Sequence, residues 1–326
     1  MTGLNRRNVT GMLAALAVVA GTVAAAAQDK VGVITDAGFL GRHAYYFVAI
    51  ERGFYKEANL DVNVLRGQGS AEAIKQVGAG NVTFGFADSG SAVLARANDN
   101  VPVRVVAIVY AKPPHAIYAL KTSGIAKPKD LEGRQIANPA GGAIPKMFPA
   151  YAKVAGIDES KVKWVVASSE SLPGLLALGR VDAVGQFTVG EPRMKKDAEN
   201  KELVELTFGD AGLDFYSNGL IASEATIKDK PDLVQRFVTA TIKGLKYSLD
   251  NPKEAADIMK KSHRELDAEL GAAEMVKVRE LAVLPNAKLG AIDPKRAEST
   301  IALVGTAFTL KNPVKVEDVF DGRFVK

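Results

Sequence analysis

The 326-residue chain contains no cysteine, one tryptophan and three histidines. Without cysteine it can form no disulfide, no thiolate nucleophile, no cysteine-bound metal centre and no lipidated cysteine behind a leader. His43, His115 and His263 are far apart, and no second histidine stands three or four residues away to give a helix face two metal ligands. No metal and no cofactor is expected. No Gly-x-Ser-x-Gly elbow occurs, and Gly67-x-Gly69 lacks the trailing glycine or lysine of a nucleotide-binding loop. A catalytic set is therefore not indicated, and the chain reads as a non-enzyme. Basic and acidic residues number 42 and 37 and are interleaved without a polybasic block, which argues against a nucleic-acid partner.

A long apolar run is also missing. The nearest approach is Gly11 to Val23, preceded by Arg6 and Arg7 and followed by Ala24-Ala25-Ala26-Ala27. A bilayer span needs roughly 20 apolar residues. A charged start, a shorter apolar stretch and a small-residue exit are the marks of a cleavable export signal over residues 1–27. The paired arginines leave a twin-arginine route open beside the general one. Removal of 1–27 takes away two arginines and no acid, lowering the formal charge from +5 to +3. Export without a lipid anchor points to the periplasm.

About 300 residues exceed one comfortable core and suggest two lobes. Strand-like runs at Lys30–Thr35, Leu60–Leu65, Val82–Ala87 and Val103–Tyr110 alternate with helical spacing at 43–58, 70–77 and 91–97. After Lys112-Pro113-Pro114-His115 the pattern restarts, with strands near 134–138, 162–167 and 181–184 and helices at 144–155 and 171–178. From Pro231 onward it is almost wholly helical, including an amphipathic stretch from Asp267 to Leu284. Alternation of this kind predicts an α/β fold with a mostly parallel sheet flanked by helices in each lobe, plus a helical C-terminal segment.

Particular residues then resemble a family. Ala49-Ile50-Glu51-Arg52-Gly53-Phe54-Tyr55-Lys56-Glu57-Ala58-Asn59-Leu60-Asp61-Val62 is similar to a signature of periplasmic solute-binding proteins of ABC importers, in the group that binds sulfonates, taurine, nitrate and thiamine-precursor pyrimidines. Val82 to Ser91, Lys127 to Arg134 and Gly179 to Ala183 resemble further segments of that group, in register over nearly all of 29–250. Asn59 replaces the usual glycine, and asparagine is the residue best able to do so where a left-handed turn is needed. The resemblance implies the type II periplasmic binding fold: lobe I from 28–119 and 216–326, lobe II from 120–215, and crossings near Ala116–Ser123 and Tyr216–Ser223. It implies a monomer that closes on a small solute by hinge motion and delivers it to an inner-membrane permease.

Ligands of open α/β sheets sit at the C-terminal ends of the strands. That rule selects Thr35, Asp36, Phe39, Arg42, His43 and Tyr45 after the first strand, Gly67 to Ser70 after the second, and Asp88 to Ser91 after the third. Asn138, Gly141, Gly142 and Ala143 follow in the second lobe, then Gln186, Phe187 and Glu191, with Tyr216, Ser217 and Asn218 at the return. The expected solute contacts among these are Asp36, Phe39, His43, Tyr45, Gly69, Ser70, Asp88, Ser89, Asn138, Gly141, Gly142, Phe187, Glu191 and Tyr216.

Two solute chemistries compete there. Glycine-serine loops at helix starts, with Arg42 nearby, suit a sulfonate, nitrate or aromatic acid. Asp36, Asp88 and Glu191, interleaved with aromatic side chains, suit a flat amino-substituted nitrogen heterocycle that donates hydrogen bonds and stacks. The acids tip the reading to the heterocycle, because an unpaired carboxylate beside an anionic solute is costly in a closed cleft. A pyrimidine-biosynthesis enzyme on the same fold is the alternative of another class; those enzymes resemble cytosolic proteins with a cysteine-rich segment. A sensory ligand-binding domain would need an attached DNA-binding or membrane segment.

Overall fold

The computed structural model describes residues 27–199 and 201–326. The export signal therefore falls almost wholly outside the described residues. None of the described helices is long and apolar enough to cross a membrane.

In chain order the first lobe contains β1 (Asp29–Ile34), α1 (Ala44–Glu51), α2 (Phe54–Glu57), β2 (Leu60–Leu65), α3 (Ser70–Gly78), β3 (Phe84–Asp88), α4 (Ser89–Asp99) and β4 (Val103–Ile108). The second contains β5 (His115–Leu120), β6 (Gln135–Asn138), α5 (Ala143–Ala155), β7 (Lys163–Val166), α6 (Leu172–Ala177), β8 (Ala183–Phe187), α7 (Glu191–Asp197) and β9 (Leu203–Thr207). The chain then returns through β10 (Asn218–Ser223) to α8 (Glu224–Asp229), α9 (Pro231–Asp250), α10 (Pro252–Ser262), α11 (Ala268–Ala282), α12 (Pro294–Ala307) and α13 (Val316–Val319).

The two sheets have orders β2-β1-β3-β10-β4 and β7-β6-β8-β5-β9. In each, one strand runs against the other four: β10 lies antiparallel between β3 and β4, and β5 antiparallel between β8 and β9. The reversed strand is in both cases the one that has just arrived from the other lobe, so the sheets are mixed yet mostly parallel, with one shared topology.

The first crossing lies earlier than the sequence suggested. The first crossing was expected near Ala116–Ser123, but Ala116–Leu120 belongs to a fully paired strand of the second sheet, with Ile117 opposite Gly185 on one side and Leu206 on the other. A central strand is covered on both faces, so it reads as an unbroken apolar run. The bridge is instead 109–114, where Pro113 and Pro114 have no N–H to give a ladder. The return spans 208–217 and also lies earlier than the expected Tyr216–Ser223, because Asn218–Ser223 is β10, paired on both sides within the first sheet. The two crossings hold each other through Ser217 N–H to the Tyr110 carbonyl at 3.0 Å and Tyr110 N–H to the Asn218 carbonyl at 2.8 Å.

Local detail follows from residue type. Asn59 has φ +56°, the left-handed turn that its place in the signature required. Phe237 of α9 stacks on Phe84 with ring centroids 3.9 Å apart, and Tyr55 stacks 5.8 Å away on the same ring. Burying each such side chain contributes about 1.5–3 kcal/mol, which fastens the helical tail to the first sheet. The amphipathic stretch is α11, begun by Asp267, whose carboxylate accepts from the N–H of Glu269 at 2.9 Å and of Leu270 at 3.2 Å. This helix reaches beyond its own lobe and packs on α7.

Candidate ligand-binding cleft

The C-terminal ends of the strands of both sheets face one another and enclose a cavity of about 40 Å³. Asp36, Ala37, Arg42, Gly69 and Ser70 line it from the first lobe, and Asn138, Gly142, Ile144, Ser169, Gln186 and Phe187 are among its walls in the second. The lobes touch here: Ala71 N–H donates to the Gly141 carbonyl at 3.2 Å. Gly69 makes this approach possible, with φ +144° and space for a Cβ only 2.2 Å from the Gly141 oxygen. Outside that contact opens a vestibule of about 760 Å³ between Arg66 and Glu72 on one side and 166–170 on the other. Sites for drug-sized ligands run to roughly 300–1,000 Å³, so a solute needs the lobes to part before it can occupy the inner cavity.

Beneath the cavity lies a buried polar cluster. Asp36 accepts from His43 Nε2 at 2.9 Å and from Asn218 Nδ2 at 2.9 Å, with Arg42 Nη2 at 3.7 Å. Leu40 N–H donates to His43 Nδ1 at 3.3 Å, so the histidine proton belongs on Nε2 and both ring nitrogens are committed. Burial lowers the His43 pKa, against the pull of Asp36, and the ring is held neutral. Burial acts to raise the Asp36 pKa, but Arg42, His43 and Asn218 together outweigh it and keep the carboxylate ionised. Glu274 of α11 accepts from Arg42 N–H at 3.0 Å, and its own pKa is raised by burial.

Two side chains of the cavity wall leave polar atoms buried without partners: Nε and Nη1 of Arg42, and Oδ1 of Asn138. Asn138 spends its amide donor on the Gly185 carbonyl at 2.6 Å. Each orphaned group costs about 1–3 kcal/mol. The Arg42 guanidinium stands 5.7 Å from the centre of the Phe187 ring.

Of the expected contacts, Asp36, Gly69, Ser70, Asn138, Gly142 and Phe187 line the cavity, Gly141 forms its lip, and His43 stands directly behind Asp36. The remaining six are occupied elsewhere. Phe39 packs on Phe47 and His263, because the first strand-end loop turns it into the helical layer; the His263 ring lies tilted 4.3 Å from it. Tyr45 is fully buried on α1 against Tyr46. Asp88 caps α4, accepting from Ser91 N–H at 2.7 Å, and also holds Ser217 Oγ at 3.0 Å. Ser89 Oγ donates to the Ser217 carbonyl at 2.6 Å. Tyr216 accepts from Asp293 N–H at 2.9 Å. Glu191 opens α7 and pairs with Lys195 and Lys277. Ser70 is the first residue of α3 and accepts from Asp88 N–H at 3.1 Å.

The wall residues that the strand-end rule passed over, Ala37, Pro139, Ile144, Ser169, Leu172 and Gly185, include the loop after β7. Ser168 to Ser171 follows a strand and precedes a helix with Pro173 in its first turn, the same signal that picked out the other loops. The described residues contain no group of His, Asp and Glu able to hold a metal ion.

Residues 41–255 match the family model described as NMT1/THI5 like. The chain is 25% identical to the formylaminopyrimidine-binding protein of Halalkalibacterium halodurans over 85% of each chain. It is 28% identical to a 4-amino-5-hydroxymethyl-2-methylpyrimidine phosphate synthase of Legionella pneumophila, over 67% of this chain and 68% of that one. The alkanesulfonate-binding protein SsuA of Xanthomonas axonopodis pv. citri, solved with MOPS, superposes with a TM-score of 0.71 at 14% identity over 90% of this chain and 98% of that chain. That likeness shows the periplasmic binding protein fold. The chain belongs to the NMT1/THI5-like family.

Proposed function

We propose that this protein is the exported solute-binding component of an ABC importer. In this reading it takes a small, flat, nitrogen-containing heterocycle of the thiamine-precursor pyrimidine type between its lobes and presents it to a permease. The observation that carries the reading is the cavity itself: the aromatic Phe187 stands on its wall, and buried hydrogen-bonding groups line it from both lobes, Asp36 and Arg42 from one and Asn138 from the other. The relative named for binding formylaminopyrimidine spans most of both chains and supports the same solute class.

A sulfonate or nitrate is favoured less. Asp36, ionised and on the cavity wall, would face the anion. A synthase role is favoured less too, although one relative carries that name. His43, the histidine nearest the cavity, has both ring nitrogens in hydrogen bonds and offers no free base.

Thermal unfolding of residues 28–326 against aminopyrimidines, a flavin, alkanesulfonates, nitrate and aromatic acids tests the reading. A solute at 100 times its Kd adds about 2.7 kcal/mol to folding stability. Stabilisation by an aminopyrimidine and not by the anions is expected; the opposite pattern would overturn the heterocycle.

A further inference from the structure

The cleft contains donors and an acceptor that the fold itself does not use. Arg42 is 2% exposed, and its Nη2 faces Asp36 at 3.7 Å while Nε and Nη1 have no partner. Asn138, from the other lobe, contributes to the same cavity a buried Oδ1 that accepts nothing. Phe187 lies beside the guanidinium on that wall. A buried donor without an acceptor loses its hydration and gains nothing in exchange, so these atoms are suited to a partner that arrives from outside.

We propose that Arg42 and Asn138 together read an uncharged amide edge on the solute. Arg42 donates to the amide carbonyl oxygen, Asn138 Oδ1 accepts from the adjacent N–H, and the heterocycle lies on Phe187. This assignment rests on the heterocycle reading above and narrows it to members that carry a carbonyl beside an N–H, whether as a formamide or as a lactam.

The surroundings of Arg42 decide between a neutral carbonyl and a carboxylate. Asp36 offsets the guanidinium charge from one side, and Glu274 touches the Arg42 backbone from the other. A carboxylate solute would bring a further negative charge against Asp36 in a desolvated space, where like charges disfavour one another strongly. A carbonyl oxygen gains the charge-assisted hydrogen bond without that repulsion.

Titration calorimetry on the mature chain tests this with three aminopyrimidines that differ at one substituent: a formylaminomethyl group, a methyl group in its place, and a carboxylate in its place. The wild-type protein is expected to bind the formamide about 10- to 100-fold more tightly than the methyl compound, and the carboxylate no better than the methyl compound. Arg42→Lys keeps a cation between Asp36 and Glu274 but removes Nε and Nη1. It is expected to shrink the preference for formamide over the methyl compound to a few-fold, the ratio of the two affinities being what is read. The wild-type comparison alone is decisive should the variant fold poorly. Equal binding of formamide and methyl compounds, or tighter binding of the carboxylate, would overturn the amide assignment and leave the heterocycle reading standing. Failure of all three to bind would overturn both.

Discussion

The Lys277 ammonium on α11 lies 2.8 Å from the Glu191 carboxylate on α7, a contact that joins a helix of the first lobe to a helix of the second. Lys196 and Asp267 pair across the same junction. Glu191 had the position of a solute contact in the sequence, one residue before a proline at a helix start, but its charge is spent on holding the lobes together.

Lys277→Met therefore weakens closure without touching the cavity. Partly exposed pairs contribute about 0.2–1 kcal/mol, so solute Kd is expected to rise by up to about fivefold with an unchanged preference among solutes. Burial acts to raise the Glu191 pKa, but Lys195 and Lys277 outweigh it and the net shift is downward. The clasp is thus fully present above the ordinary carboxylate range and is lost as pH falls through the depressed value. Calorimetry at pH 7 on both proteins checks the first point; a change in solute ranking would count against it.

Gly69→Ala drives a methyl group into the Gly141 backbone, at a position whose φ of +144° an L side chain rarely adopts. The lobes are expected to stay further apart, which raises the radius of gyration in small-angle scattering and weakens solute binding at least tenfold. Unaltered scattering and affinity would show that the Gly69–Gly141 contact does not limit closure.

His43 and His115 are both fully buried, and burial lowers both pKa values, with Asp36 and Asp88 respectively pulling the other way. Below the unfolded value of about 6.5 the unfolded chain binds protons that the folded chain refuses. Stability is accordingly complete at pH 7.5 and falls as pH drops beneath about 6.5, by up to roughly 1.4 kcal/mol per pH unit for each histidine. Glu274, whose pKa is raised, works in the opposite sense as pH falls toward the ordinary glutamate value of 4.5. Urea unfolding at pH 7.5, 6.5 and 5.5 measures the slope. His115→Gln should remove one histidine's share of it, and an unchanged slope would refute the assignment.

Asp88→Ala removes a helix cap and leaves Ser217 Oγ without this acceptor. A loss of about 2–4 kcal/mol is expected, with solute affinity near that of the wild type once the protein is folded. Lost affinity at full stability would restore Asp88 to the solute.

Much of this architecture was legible because strands and helices differ in period. The alternation before Pro113 and after Lys127 gave two lobes, and the strand-end rule gave Asp36, Gly69, Ser70, Asn138, Gly142 and Phe187. The crossing was misplaced because a central strand such as β5 has no polar face to mark it. The acids misled for a different reason: residue type announces a carboxylate but not its partner, and Asp88 and Glu191 find theirs at Ser91 and Ser217 and at Lys277. Two of those three partners lie at least 86 positions away, beyond any local pattern. Arg42 stood among the strand-end residues, yet only the packing reveals that two of its nitrogens are left unused.

Titration calorimetry of the mature protein with a formylaminopyrimidine and, separately, with an alkanesulfonate measures the central claim most directly. Saturable binding of one pyrimidine per chain is expected, and none of the sulfonate at the same concentration. Saturable binding of the sulfonate, with no heat from the pyrimidine, would contradict it.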